Sequence, residues 1–231
     1  MSFTPDEWTA ILLSMRIAFV ATLAALPLAI FAAYALARWT FPGRTIVDGI
    51  LHLPLVLPPV VTGYLLLLAF GRKGPIGQFL FNTFGLTLSF RWTGAAVAAA
   101  VMGFPLMLRA IRLSFEGIDR RLEAAAGTLG ANKIWTFALV TLPLALPGIL
   151  AGATMCFAKA LGEFGATITF VSNIPGQTQT IASSIYTYSQ VPGGEAGAIR
   201  LMTVSILIAL AALFLSEAIN RRAQARIAVF E

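Results

Sequence analysis

Five apolar runs, each about twenty residues or longer, at 12–37, 46–70, 93–113, 135–157 and 198–219, constrain this chain more than any other feature. A run of that length suffices to cross a bilayer as a helix, and in lipid every backbone N–H and C=O must find a partner within the protein. The sequence therefore predicts an all-α integral membrane protein with about five transmembrane helices, forming a single domain over 1–231. Composition agrees: 58% of the 231 residues are hydrophobic and 11% charged, with a mean hydropathy of +0.84. So few charges cannot coat a water-facing surface, which excludes a large soluble catalytic domain. The first run is too long for a signal peptide and is read as a retained helix. The stretch 158–191 is glycine-interrupted and then polar, with Ser172, Asn173, Pro175 and Gly176, and is not expected to be a full sixth span.

Basic residues set the orientation. Arg38, Arg44, Arg109, Arg112, Arg120, Arg121, Lys133, Arg221, Arg222 and Arg226 fall on one side of a five-span arrangement, against Arg72, Lys73 and Arg91 on the other. Cytoplasmic loops collect Lys and Arg, so the chain is expected N-out and C-in, and the net charge of +6 carries no nucleic-acid meaning. The single cysteine, Cys156, lies in an apolar run and offers neither an intramolecular disulfide nor a thiolate metal cluster. No metal site and no cofactor are implied. Prolines interrupt the runs at Pro27, Pro54, Pro58, Pro59, Pro105, Pro143 and Pro147. Each bends its helix and frees a carbonyl, which favours a place beside other helices or a wet cavity.

The inner loop 114–134 is the most informative stretch. Leu122, Ala125, Ala126 and Leu129 recur at helical spacing, Asp119 and Glu123 sit early where the helix dipole favours anions, and Gly130 ends the element. Two readings stand: a short amphipathic helix that docks a soluble partner, or an interfacial helix whose Arg120, Arg121 and Lys133 lie on lipid headgroups.

Glu123-Ala-Ala, Gly130-Ala131, Phe137 and Leu142-Pro143 resemble the EAA loop of permease subunits of bacterial ABC importers, which inserts into a groove of the ATP-binding subunit. The resemblance implies an ATPase-coupling loop containing Glu116, Arg120, Glu123, Ala124, Ala125, Ala126, Gly130, Ala131 and Phe137. Glu123 precedes Gly130 by seven residues where the pattern has six, so Ala124 holds the glutamate's column. Three further runs, at 51–64 with its Pro54, Pro58, Pro59 and Gly63, at 104–112 from Phe104-Pro105 to Arg112, and at 160–176 around Gly162-Glu163-Phe164-Gly165, resemble molybdate ABC transporter permease subunits. That resemblance implies a type I importer permease working as a pair with a second copy of itself, two ATP-binding subunits inside and a periplasmic molybdate-binding protein outside. Sulfate and tungstate permeases share much of the pattern.

An oxyanion path is expected to use hydroxyls and backbone N–H groups rather than a deep cationic site, because tight binding stops release. Thr62, Thr154, Thr167 and Thr169 are the available hydroxyls, most of them expected to bond their own helix carbonyls. Lys159 and Glu163, four apart, either pair on one helix face or leave Lys159 to snorkel to the headgroups. His52, a turn from Asp48, reads as a structural histidine, and Arg109 and Arg112 as topological charges. The segment 177–190, with Ile181, Ile185 and Tyr188 at helical spacing, is either a surface helix that meets a binding protein or a re-entrant packing element. The chain has no His-Glu-x-x-His, Gly-x-Ser-x-Gly or P-loop motif, so transport is favoured over enzymology, with an ion channel as the remaining alternative.

Overall fold

The computed structural model describes residues 3–227, and all regular structure among them is helical. In chain order the elements are α1 (Pro5–Arg38), α2 (Arg44–Val56), α3 (Pro59–Phe70), α4 (Pro75–Phe84), α5 (Trp92–Gly117), α6 (Arg120–Thr128), α7 (Lys133–Thr136), a π turn (Phe137–Thr141), α8 (Leu142–Leu161), α9 (Gly165–Val171), α10 (Ile181–Ser189) and α11 (Glu195–Ile227). Four pieces, Pro5–Arg38, Trp92–Gly117, Lys133–Leu161 and Glu195–Leu215, are each long and apolar enough to cross a membrane, and the bent pair α2–α3 is a fifth if counted as one span.

α5 is the centre of the bundle, packed against α1, α8 and α9. Lipid gives helices no hydrophobic reason to associate, so contact must come from close backbone approach. α1 supplies it with Ala18, Ala21, Ala25, Ala29 and Ala33, all buried at three- and four-residue spacing, and α5 answers with buried Ala95, Ala98 and Ala99. On α8, Gly148 and Gly152 bring that helix onto α5. A methyl group at Gly152 would stand 2.9 Å from the Met107 carbonyl oxygen, and one at Gly148 would overlap Ser114. Large side chains point the other way: Leu28, Phe31, Ile46, Val56, Leu139 and Phe214 are all exposed, as an outer face toward lipid requires.

One stretch differs from its expected form. The run 46–70 is not one straight helix but two, meeting at 114°. Pro59 opens α3, and the residue before a proline is pushed out of the helical region; Leu57 (ψ 144°) and Pro58 (ψ 134°) are both extended. Within 158–191, α9 and α10 have only 7 and 9 residues, far short of a bilayer's thickness. The π turn lies just before Pro143, which cannot donate the i→i−4 bond, and the ladder shifts to a Leu142 N–H to Phe137 carbonyl bond.

Candidate functional site

At one end of the bundle the loop 114–134 is fixed first by local caps. Asp119 precedes α6 and its carboxylate accepts the Arg121 N–H at 2.9 Å. α6 closes on Gly130 at φ +89°, with Gly130 N–H on the Gly127 carbonyl (3.0 Å) and Ala131 N–H on the Ala126 carbonyl (3.1 Å). That pair of bonds is a Schellman ending, and it needs the left-handed residue that glycine supplies. Asn132 then caps α7, accepting from Ile134 (3.1 Å) and Trp135 (3.0 Å).

Distant residues hold the loop to the bundle. The Arg38 guanidinium, at the last residue of α1, donates through Nη2 to the Ile118 carbonyl at 3.2 Å and forms an ion pair with Glu123 Oε1 at the same distance. Thr141 Oγ1, in the π turn, donates to the same Glu123 oxygen at 2.9 Å. Arg38 Nε is buried and meets no acceptor among the described residues. Beneath them the Tyr34 ring stands edge-on to Phe115 (5.5 Å) and Phe137 (4.9 Å), so one turn of α1 closes both ends of the loop.

These contacts give α6 two faces. Glu123 and Ala126 are half-buried toward the bundle, whereas Arg120, Ala124 and Ala125 are exposed. Leu122, Leu129, Ile134 and Trp135 are 48%, 88%, 78% and 59% exposed, an apolar surface that the chain itself leaves uncovered. Glu116 stands apart, on the last turn of α5, where it accepts from Arg112 Nε at 2.8 Å. Arg112 Nη1 donates to Asp48 on α2, also at 2.8 Å, and His52 Nδ1 lies 2.9 Å from the Asp48 carbonyl oxygen. Arg112 is thus engaged inside the chain, joining α2 to α5.

The second group of expected residues meets where two helix breaks adjoin. α8 ends at Leu161 and α9 starts at Gly165, so Lys159 and Glu163 do not share a continuous helix; they nevertheless pair at 2.8 Å. Glu163, nearly fully buried, also accepts the Ala166 N–H at 3.0 Å, so its carboxylate caps α9. Across from it lies the α2–α3 break. A methyl group at Gly165 would come within 2.7 Å of Pro59 Cβ, and one at Gly63 within 2.5 Å of the Ala166 carbonyl oxygen. Thr154, Thr167 and Thr169 each donate to a carbonyl of the preceding turn, Thr154 to Leu150, Thr167 to Phe164 and Thr169 to Gly165. The buried Thr62 hydroxyl meets no partner among the described residues.

Arg38, Tyr34 and Thr141 were not among the expected loop residues. Arg38 and Tyr34 join the loop only through the tertiary fold, and no local pattern marks them. Thr141 carried a weak signal, lying two residues before Pro143 where a helix register is disturbed.

A family model described as the binding-protein-dependent transport system inner membrane component matches residues 25–228. The chain belongs to this family. As a member of this inner-membrane transport family it is 56% identical over 226 residues, 98% of this chain and 99% of the relative, to the molybdenum transport system permease protein ModB of Escherichia coli (strain K12). It is 53% identical to ModB of Haemophilus influenzae over 96% of both chains. The sulfate transport system permease protein CysT of Salmonella typhimurium is 33% identical, over 94% of this chain and 79% of CysT. Among solved structures, the MetNI methionine ABC transporter in inward-facing conformations aligns with a TM-score of 0.69 at 15% identity, over 94% of each chain. A bacterial ABC transporter that imports the polysaccharide alginate aligns with a TM-score of 0.71 at 17% identity, over 95% of this chain and 80% of that one. The family member described here therefore has the fold of a type I ABC importer permease and is a multi-pass inner-membrane protein.

Proposed function

We propose that this chain is the permease subunit of an ABC importer that carries molybdate across the inner membrane, powered by ATP hydrolysis on separate subunits. The observation that carries the substrate is the 56% identity to a molybdenum permease along 98% of the chain. The working unit pairs the chain with a second copy of itself, two ATP-binding subunits and a periplasmic molybdate-binding protein. The chain has no catalytic role of its own; it converts a partner's conformational change into a path for the anion.

The orientation is N-out and C-in, which places the loop 114–134 and the surrounding Arg38, Arg44, Arg109, Arg112, Arg120, Arg121 and Lys133 in the cytoplasm. There α6 presents Leu122, Ala125 and Leu129 outward to a groove of the ATPase. Its capped ends support this role, since a helix of nine residues does not hold its shape in water unaided. The anion passes between the α2–α3 and α8–α9 breaks, near Thr62, Lys159, Glu163, Thr167 and Thr169, whereas Thr154 lines a groove with α1 and α11. Glu163 neutralises Lys159 at 2.8 Å, so the pair adds no net positive charge. A path of that kind lets an oxyanion through without trapping it.

The test is reconstitution of the complete complex in liposomes with molybdate, tungstate or sulfate offered through the binding protein. Molybdate is expected to stimulate ATP hydrolysis and to accumulate inside. Stimulation by sulfate alone would move the chain to the sulfate permeases, and ion conduction by the purified chain without partners would replace transport by a channel.

A further inference from the structure

The loop carboxylate faces the wrong way for a partner. Glu123 sits on the bundle side of α6 with Ala126, its side chain 21% exposed, while the exposed position next to it is Ala124. Its Oε1 meets groups from two different elements: Oγ1 of Thr141, in the π turn before α8, donates to it, and Nη2 of Arg38, at the end of α1, forms an ion pair with it at 3.2 Å. Arg38, with a side chain only 8% exposed, uses the same Nη2 to hold the Ile118 carbonyl, the residue before the α6 cap. Three elements, α1, α6 and the π turn, are thus joined at one carboxylate oxygen.

We infer that Arg38 is a positioning residue of the transport cycle: it ties α6 to α1, so that displacement of α6 by a partner is delivered to α1 as a rigid-body movement. The inference rests on the docking role of α6 and deepens it, assigning Glu123 an inward task rather than an ion pair with the ATPase. Local caps keep α6 helical, but they place nothing between it and the spans. The Tyr34, Phe115 and Phe137 rings close the base of the loop on one another, and the π turn that begins at Phe137 lies against α6; the tie from α6 to α1 is the Arg38 to Glu123 pair. Without the Arg38 to Glu123 link, α6 keeps its shape and its outward face but pivots about Ile118 and Gly130. Partner binding then survives while transmission is lost.

A charge-swap cycle in the reconstituted complex tests this, with Arg38→Glu, Glu123→Arg and the double variant. Three quantities are read: ATPase recovered with the permease, molybdate-stimulated hydrolysis, and molybdate taken up per ATP hydrolysed. Arg38→Glu is expected to retain the ATPase while uptake per ATP falls at least fivefold. Glu123→Arg should show a similar fall, and the double variant should return to within twofold of the original chain. A double variant equal to the product of the singles, or single variants with unchanged uptake per ATP, would overturn the inference. So would loss of ATPase attachment in Glu123→Arg that Arg38→Glu does not share, since that places the glutamate on the partner. If a reversal is not recovered from the membrane, Arg38→Gln, Glu123→Gln and their combination form a second cycle, in which the double variant is expected to fall no further than the worse single because the link is already lost, and a fall equal to the product of the singles would overturn the inference. Failure of the docking role shows elsewhere, as undiminished ATPase attachment in Ala125→Trp, and is thereby distinguished.

Discussion

Substitution of Gly130 separates backbone geometry from side-chain volume. The residue stands at φ +89°, and a methyl group built on it meets no atom within 4 Å. A side chain there has room, so the whole penalty lies in the left-handed conformation: about 1–2 kcal/mol for an ordinary L-residue, toward the upper end for a β-branched one. Asparagine, whose side chain tolerates this region, should cost only a few tenths of that. If α6 must keep its Schellman ending to fit the ATPase, the penalty enters the binding equilibrium directly. At about 1.4 kcal/mol per tenfold, Gly130→Val should weaken ATPase attachment roughly tenfold to thirtyfold and Gly130→Asn about twofold or less. Titration of the ATPase onto detergent-purified permease, with thermal unfolding of the permease alone as a control, measures both. Equal weakening by valine and asparagine would show that added volume matters instead, and undiminished binding by both would refute the requirement for this ending.

Ala125 is the exposed centre of the outward face of α6, so Ala125→Trp should abolish ATPase recovery without shifting the Tm of the isolated permease, as a pull-down beside a melting curve will show. Gly63→Val pushes atoms into the Ala166 backbone and should lower the Tm at a cost of about 2 kcal/mol, whereas Gly49→Ala, in open space within α2, should hold it or raise it slightly. Lys159→Met strands the buried Glu163 carboxylate; the loss should stay below about 3 kcal/mol, because Lys159 is a third exposed, and adding Glu163→Gln should recover part of the lost Tm. In a Cys156→Ala background, a cysteine at Lys133 should react with an impermeant thiol reagent only from the cytoplasmic side and one at Lys73 only from outside; the reverse labelling would invert the topology.

The fold class was legible because hydrocarbon permits so few alternatives: length and apolarity alone identify the long helices α1, α5, α8 and α11. The Gly130 ending could also be read, since Asp119, the Leu122 to Leu129 spacing and the glycine are all local. The bend at Pro58-Pro59 was half legible. Adjacent prolines announce a break, but the 114° angle is set by Gly63 and Gly165, which let α3 lie against α9. Gly148 and Gly152 form a small-xxx-small pair inside an apolar helix, a visible signal for the α5–α8 contact. The Arg38 to Glu123 and Arg112 to Asp48 pairs could not have been read, because each joins helices whose relative rotation is decided by packing.

The alanine stripe between α1 and α5 has a mechanical meaning. An alanine has no side-chain torsion to change, so where Ala18 and Ala21 meet Ala95, Ala98 and Ala99 the seam offers no second set of rotamers to settle into, and farther along Ala25, Ala29 and Ala33 give Met107, Leu108, Ile111 and Phe115 a wall that does not rearrange. Transport demands alternation between shapes, and a seam of this kind behaves as a stiff spar rather than a hinge. The spar carries displacement along its length, from the end held by Arg38 to the end where Arg16 lies 3.8 Å over the Trp92 ring. The helical ladder is interrupted elsewhere, at Leu57-Pro58, in the π turn 137–141 and at 162–164, and those segments rather than the spar are where bending costs least.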